Sequence, residues 1–447
     1  MIFTPPRFIV LDDTKEHLSA ITDAFQKLGS PCLGVHFEAS ATLDKNLFQG
    51  VRALFIDLHL LGGQASTDQR QNYGIICGIL EDNINPDGGP YILVLWTEYP
   101  EYCEQLKEYI ERIESHAKPL AVISLSKIDF INTEDGIANN PEKLRTSVRE
   151  AVYSNPQLAA MLEWEAGVLN AASATLCSLL NLIPNKDKNG SSYSENIDVL
   201  LSRLAQEAVG KNNISNDHRA AVNNALSPIL FDRIMNQKKT EGSDDLWAHA
   251  ITKYNGRLSS ATQEEAGLIN KMLHFADPEY ENIRPTDWGA VVSWPFGNQP
   301  DDIIRILGIT LKEFICNELK MRSSAIDVCK LLLIRVGAVC DHAQSNSGRI
   351  TYLVAVEIPT HADRCVDSSG KEIKASDSIW KSPVYKNKDS DVISNIYVHI
   401  RFPITTTKNE CNNWNAIYRV REQLLMSLLS TSSNYMSRPG ILQLPVY

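Results

Sequence analysis

The stretch that decides the fold is residues 51–63, VRALFIDLHLLGG. Its apolar run, residues 53–56, stops at the carboxylate of Asp57 and is followed by loop residues. A parallel strand that helices cover on both faces has such a continuous apolar run. In open α/β sheets the ligand site lies beyond the carboxyl ends of the strands. The stretch therefore predicts a strand with Asp57 at the edge where chemistry occurs.

Three more apolar runs end in polar residues, and helix-period segments lie between the runs. The runs and their terminal polar residues are 7–13 (RFIVLDD) with Asp12 and Asp13, 91–98 (YILVLWTE) with Thr97, and 120–127 (LAVISLSK) with Lys127. Apolar residues recur at helical spacing over residues 18–28, which Gly29 closes, and over residues 103–113. These patterns predict alternating strands and helices.

The set of polar strand ends resembles the receiver domain of bacterial two-component response regulators. The resemblance implies that residues 1–153 form a doubly wound α/β domain around a parallel five-stranded sheet. It also implies that this domain accepts a phosphoryl group from a histidine kinase and requires Mg²⁺.

The roles of individual residues follow from the same resemblance. Asp57 would be the phosphoacceptor, Thr97 the switch hydroxyl and Lys127 the lysine that pairs with the phosphoryl group. Four groups would hold Mg²⁺: the side chains of Asp12, Asp13 and Asp57 and the backbone carbonyl of His59. Hard oxygen ligands of this kind suit Mg²⁺.

Two features depart from the receiver pattern. Ile128 follows Lys127 where the family usually has proline, and the stretch between Asp57 and Thr97 is longer than usual. The longer stretch holds a polar, glycine-rich insertion at residues 62–73 and a turn-rich loop at residues 82–90. These departures leave open a pseudo-receiver that docks partners without being phosphorylated.

The remaining sequence predicts two further domains. Residues 154–276 form a helical region, in which residues 158–182 predict a buried or dimer-forming helix that breaks near Gly167. Residues 277–447 form an α+β domain with a small barrel or curved sheet. Its predicted strands are 288–294, 329–340, 349–358 and 392–404, and its predicted helices are 301–319 and 414–429.

A second group of candidate residues follows two strands of this C-terminal domain: Cys340, Asp341, His342, Gln344, His361 and Cys365. Zinc accepts the Cys and His ligands, but their spacing departs from the common closed zinc sites, which disfavours Zn²⁺ here. Cys340 and His342 also suit a nucleophile pair on one strand face. The alternative is a polar strand end in which Asp341 and Gln344 bond turn backbone.

The CD-x-x-Q stretch at residues 340–344 and the RPG stretch at residues 438–440 resemble C-terminal regions of receiver-containing proteins in prokaryotic anti-phage systems, such as the Detocs type. That resemblance implies a protein that regulates or buffers phosphate in a two-component-type defence pathway. A different reading is an effector enzyme whose metal or thiol site near residues 340–365 is gated by the receiver.

Composition limits the remaining classes. The chain has 447 residues, a net charge of −11 and nine cysteines scattered through apolar segments. The acidic balance argues against a dominant nucleic-acid-binding role, and scattered cysteines indicate reduced thiols. No apolar run reaches the ~20 residues that span a membrane, and no signal peptide is visible. We therefore expect a cytoplasmic signalling protein whose partners are a histidine kinase, a downstream effector and a second copy of the chain.

Overall fold

The computed structural model divides into two compact units, Met1–Ser178 with Leu230–Leu258 and Leu179–Ile229 with Ser259–Tyr447. The three-domain division at residues 153 and 276 stays a prediction. The structure describes residues 5–38, 43–61, 69–86, 88–132, 137, 139–254, 259–278, 282–344, 348–362, 376–387 and 390–438.

The first unit contains a five-stranded, all-parallel sheet in the order β2-β1-β3-β4-β5. Its strands are β1 (Phe8–Asp12), β2 (Leu33–His36), β3 (Ala53–Ile56), β4 (Ile92–Thr97) and β5 (Ala121–Ser126). This arrangement confirms the predicted α/β fold class. The apolar runs did not predict β2, whose four residues, LGVH, include a glycine and no continuous apolar run.

Helices cover both faces of this sheet: α1 (Lys15–Lys27), α2 (Arg70–Asn83), α3 (Cys103–Arg112) and α4 (Pro141–Tyr153). Alternate residues of β3 enter two different cores. Leu54 and Ile56 pack with residues of α2 and α3, whereas Ala53 and Phe55 pack with residues of α1 and α4. Double coverage is the reason for the unbroken apolar run in β3.

The middle of the chain is helical, as predicted. Its helices are α5 (Pro156–Leu180), α6 (Gly190–Val209), α7 (His218–Met235), α8 (Ser243–Ala250) and α9 (Gln263–His274). The predicted break near Gly167 is wrong, because α5 is continuous there. A Cβ atom at Gly167 would lie 2.5 Å from the side-chain oxygen of Gln237, so the glycine allows a close approach rather than a kink.

The second unit contains an antiparallel, curled sheet in the order β10-β12-β9-β8-β7-β13-β6, with β11 paired to β12. The strands are β6 (Phe275–Ala276), β7 (Ala290–Ser293), β8 (Lys330–Val336), β9 (Arg349–Pro359), β10 (Ile379–Lys381), β11 (Tyr385–Lys386), β12 (Ile393–Thr407) and β13 (Ala416–Val420). The register between β12 and β9 shifts between Val398 and Pro403, where a bulge bends the longest strand. The sheet confirms the predicted α+β class with a curved sheet.

Four helices accompany this sheet: α10 (Pro300–Leu307), α11 (Val339–Gln344), α12 (Lys408–Cys411) and α13 (Glu422–Met436). The single helix predicted for residues 301–319 is two pieces. Helix α10 ends where Gly308 adopts φ of 74°, and a separate π-helical turn covers Glu313–Glu318. The predicted helix at residues 414–429 begins as strand β13, whose sequence AIYRV suits pairing with β7.

Within the described part of the chain, no helix combines the length and the apolar character that crossing a bilayer requires.

Candidate functional site

The carboxyl edge of the parallel sheet brings together the residues that the sequence predicted. Asp12 ends β1, Asp57 follows β3, Thr97 ends β4 and Lys127 follows β5. These four strands are neighbours in the sheet and run in one direction. Their ends therefore meet at one place, where buried side chains converge.

Lys127 is the centre of this group. Its side chain is 2% exposed, and its ammonium nitrogen lies 2.8 Å from Asp12 Oδ2 and 3.0 Å from Asp57 Oδ2. The same nitrogen lies 3.2 Å from His17 Nδ1. The ammonium group thus has two carboxylates and one imidazole nitrogen within 3.2 Å.

Burial and neighbouring charges shift the pKa values of Asp12 and Lys127. Burial raises the pKa of the Asp12 carboxyl, and Asp57 adds to the rise, while Lys127 opposes it. Burial alone would lower the pKa of Lys127, but the Asp57 and Asp12 carboxylates outweigh it and hold that pKa above its usual range. Lys127 is therefore a cation at neutral pH, and Asp12 is a carboxylate that is costly to ionise.

Local hydrogen bonds fix the three acids at the starts of their loops. Asp12 Oδ1 accepts from the backbone N–H of Thr14 at 2.9 Å, directly before α1. Asp57 Oδ1 accepts from the N–H of Leu58 at 2.7 Å. Asp13 Oδ1 lies 3.3 Å from the hydroxyl of Thr14, which donates to it. These bonds orient the carboxylates before any ligand arrives.

The same acids fit a Mg²⁺ ion. Asp12, Asp13 and Asp57 each offer a carboxylate oxygen within 4.8 Å of the others. Octahedral Mg²⁺ ligands at about 2.1 Å lie roughly 3 to 4.2 Å apart, so the three carboxylates are candidate ligands of one cation. Three carboxylates and one ammonium also leave two negative charges, which a divalent cation balances. His59 stands two residues beyond Asp57, and its carbonyl stays a predicted fourth ligand.

Thr97 is fully buried beside Lys127. Its hydroxyl oxygen accepts from the N–H of Tyr99 at 3.2 Å, and its carbonyl accepts from the N–H of Lys127 at 2.8 Å. Both bonds hold the residue at the strand end. Ile128, where the sequence departs from the receiver pattern, is 60% exposed.

The sequence did not predict two further parts of the site. His17 stands four residues after Asp13, in the first turn of α1, and only that spacing could have indicated it. The second part is a polar wall in which His59 Nε2 lies 3.2 Å from Gln69 Oε1. The imidazole of His59 also stands edge-on to Tyr99, with ring centres 5.0 Å apart. Gln69 belongs to the insertion at residues 62–73, of which residues 62–68 lie outside the described part of the chain.

The C-terminal candidates are not brought together. Cys340, Asp341, His342 and Gln344 lie on α11, so the predicted strand 329–340 is wrong beyond Val336. Gly337, with φ of 129°, turns the chain there. Cys340 is exposed, and burial, followed by the charge of Arg335, lowers the pKa of His342. A strand-borne Cys340–His342 pair therefore does not form.

The strand register separates Cys340 and His342 from His361. Helix α11 follows the end of β8 that pairs with the start of β9, where Val336 faces Thr351. His361 follows the opposite end of β9, near the pair Lys330 and Glu357. Six strand residues at about 3.4 Å each place these ends about 20 Å apart. Cys365, the fourth candidate zinc ligand, lies outside the described residues.

The second unit instead buries polar groups within its strands. Glu357 accepts hydrogen bonds from the Tyr385 hydroxyl at 2.6 Å and from Lys330 at 3.1 Å, and Tyr418 lies 3.1 Å from Tyr385. Burial raises the pKa of both tyrosines above their usual range.

A second buried pair lies on β12. His399 is fully buried and lies 3.1 Å from the Glu318 carboxylate, which Arg401 also contacts. Burial, with help from Arg401, lowers the pKa of His399 and keeps its imidazole neutral. Among the described residues, only Asp12, Asp13 and Asp57 form a cluster of three acids, histidines or cysteines close enough to share a metal ion.

Neither a family model nor a curated protein matches this chain significantly.

Proposed function

We propose that this protein accepts a phosphoryl group on Asp57 from the phosphohistidine of a kinase and acts as a signalling protein of the response-regulator type. The observation that carries the proposal is the buried Lys127, which bridges Asp12 and Asp57 where four parallel strands end. A fold that needed only stability would gain little from burying a lysine and two aspartates at one sheet edge.

The proposed step is a nucleophilic displacement at phosphorus. A carboxylate oxygen of Asp57 forms a bond to phosphorus, and the bond from phosphorus to the donor imidazole breaks. The electron pair of that bond goes to the imidazole nitrogen, and the histidine leaves as a neutral imidazole because its other ring nitrogen is protonated in the phosphodonor. The product is an acyl phosphate on Asp57. The side chain of Asp57 is 10% exposed, so a donor reaches it from the open edge of the sheet.

Lys127 and Thr97 would stabilise the product. Once Asp57 becomes an acyl phosphate, it loses its own negative charge, and Lys127 is released to pair with a phosphoryl oxygen. Thr97 offers a hydroxyl at the neighbouring strand end. Mg²⁺ bound by Asp12, Asp13 and Asp57 would supply positive charge against the repulsion between the phosphodonor and the carboxylates.

The same chemistry implies two protein partners. The donor is a histidine kinase, and the signal passes to a downstream effector protein. Eight cysteines in the described part of the chain are free thiols, which supports the reducing cytoplasm as the site of action.

The test is incubation of the full chain with acetyl phosphate and Mg²⁺, followed by intact mass. We expect a single phosphoryl adduct that hydroxylamine removes, because hydroxylamine cleaves acyl phosphates. Asp57→Asn should carry no adduct, and chelation of Mg²⁺ should prevent its formation on the wild type. Asp129→Asn is the matched control, since Asp129 is exposed just beyond Lys127 and should leave the adduct unchanged.

Two outcomes would overturn the proposal. An adduct that persists on Asp57→Asn would place the acceptor elsewhere. A folded wild type that takes no adduct from acetyl phosphate, and none from phosphorylated kinase domains, would instead support a pseudo-receiver that docks partners without chemistry.

A further inference from the structure

The side chain of Lys127 reaches far from its own strand to enter the acid cluster. Its backbone N–H donates to the carbonyl of Thr97, so residue 127 still lies against the end of β4. The strands follow one another in the order β1-β3-β4-β5, yet the ammonium nitrogen lies 2.8 Å from Asp12 Oδ2 at the end of β1. A lysine side chain has many rotamers, so its tip stays in one place only if several groups hold it there.

His17 contacts this tip from helix α1. It is the third residue of the helix, and its Nδ1 lies 3.2 Å from the ammonium nitrogen of Lys127. His17 is 7% exposed, so bulk water does not compete for the contact. The first turn of α1 is therefore joined directly to the lysine that follows β5.

The chemistry of the pair determines which atom donates. Lys127 is a cation, and an ammonium group has hydrogens to donate but no lone pair with which to accept. Lys127 therefore donates in this hydrogen bond and Nδ1 of His17 accepts. The imidazole is then neutral and carries its proton on Nε2. A neutral acceptor holds the ammonium without competing with the charge of a phosphoryl oxygen.

The proposed transfer changes the charges around Lys127. Before transfer, the ammonium lies 2.8 Å from Asp12 and 3.0 Å from Asp57. Formation of the acyl phosphate removes the negative charge of Asp57, and one carboxylate contact alone leaves the ammonium free to rotate. The contact with neutral His17 does not depend on that charge. Two of the three ammonium hydrogens can thus keep their acceptors while the third turns to a phosphoryl oxygen.

We infer that His17 is a positioning residue whose Nδ1 holds the ammonium of Lys127 ready to pair with the phosphoryl group as Asp57 accepts it. The inference rests on the proposed phosphorylation of Asp57 and names a residue that sets the rate of that step.

The first experiment compares two variants of nearly the same shape. In His17→Asn the side-chain oxygen can stand where Nδ1 stands, because both atoms are bonded to Cγ, whereas His17→Leu has a methyl group there that accepts nothing. With acetyl phosphate and Mg²⁺, His17→Asn should form the adduct at nearly the wild-type rate. His17→Leu should form it about tenfold more slowly, because it lacks a hydrogen bond to a charged group. His116→Leu, at an exposed histidine of the same unit, is the matched control and should keep the wild-type rate.

The affinity for Mg²⁺ distinguishes positioning from damage to the acid cluster. Calorimetric titration should give nearly the same Mg²⁺ affinity for the wild type and both His17 variants, because the three acids are retained. Thermal melts establish that each variant is folded. Equal rates for His17→Asn and His17→Leu, or an Mg²⁺ affinity that falls in step with the rate, would overturn the inference.

The second experiment observes the wild-type imidazole directly. Nuclear magnetic resonance of the chain, with the ring nitrogens of histidine labelled, distinguishes the two neutral tautomers. We expect His17 to carry its proton on Nε2 and none on Nδ1. A proton on Nδ1 would overturn the inference, whatever the stability of the variants.

Failure of phosphorylation itself gives a different result. A folded wild type that takes no adduct would contradict the proposed function and, with it, any role of His17 in the transfer. A wild type that takes the adduct no faster than His17→Leu would contradict the positioning role alone.

Discussion

The two sheets of this protein place their buried polar groups differently. The parallel sheet gathers Asp12, Asp57 and Lys127 at one edge, with apolar residues along its strands. The antiparallel sheet keeps Glu357 and His399 inside its strands. Parallel strands deliver all their carboxyl ends to one edge, whereas antiparallel strands divide theirs between two. The comparison teaches that a row of polar strand ends indicates one site only when the strands run in the same direction.

The largest effect on stability is expected when the charged cluster at the edge of the parallel sheet loses its lysine. Lys127→Met removes the ammonium but keeps a similar volume, and it leaves Asp12 and Asp57 buried without their cation. We expect the free energy of unfolding to fall by about 3 to 5 kcal/mol without Mg²⁺, since breaking a buried ion pair leaves uncompensated charge. Added Mg²⁺ should restore part of the loss. Chemical denaturation with and without Mg²⁺ measures both quantities.

The control for this variant is Lys107→Met, because Lys107 is a surface lysine near Glu104 and should change stability little. Equal stability of Lys127→Met and the wild type without Mg²⁺ would contradict the compact arrangement of charges around Lys127.

A smaller effect is expected inside the antiparallel sheet. Glu357→Gln keeps the shape of the side chain but replaces a carboxylate that accepts from both Tyr385 and Lys330. We expect a loss of about 2 kcal/mol, the size of a charged buried hydrogen bond, and no response to Mg²⁺. Denaturation curves should show a clear loss for this variant and almost none for the exposed Glu264→Gln. A Mg²⁺ response of Glu357→Gln would remove the distinction between the two sheets.

The smallest effect concerns thiol chemistry and leaves stability unchanged. Burial raises the pKa of Cys32, before β2, to about 12, and it raises the pKa of Cys329, before β8, to about 11. At pH 8 the Cys32 thiolate is then roughly one part in ten thousand, and it increases as the pH rises toward 12. Brief alkylation at pH 8 with peptide mapping should modify exposed Cys177 and Cys340 before Cys32 and Cys329. The reverse order would show that α11 is covered in solution.

Much of the first unit was accessible to sequence reasoning. The apolar runs predicted β1, β3, β4 and β5, and the polar residues at their ends predicted the cluster. Strand β2 was missed because four half-buried residues give no apolar run. His17 was missed because a histidine in the first turn of a helix has no distinctive pattern until the structure places it 3.2 Å from Lys127.

The second unit was harder to predict from the sequence for a physical reason. The sequence indicated strands that end near Cys340 and near His361, but not the register that separates those ends. Similarly, Ala416–Val420 follows a helical apolar spacing, and only pairing with β7 makes it a strand. Residues that meet across an antiparallel sheet are fixed by strand partners far away in the chain, which local patterns do not contain.

Strands β1 and β3 each have a cation before one end and an acid at the other. Arg7 and Arg52 hold Glu165 of α5, and Asp12 and Asp57 hold Lys127. Each strand is at most five residues long, about 17 Å of straight backbone without a loop. The two strands are thus short, straight segments that connect the acid cluster to the contact with α5. Because β1 and β3 are paired along their length, we expect a ligand that moves Asp57 relative to Asp12 to shift Arg52 relative to Arg7 and so to change their contacts with Glu165.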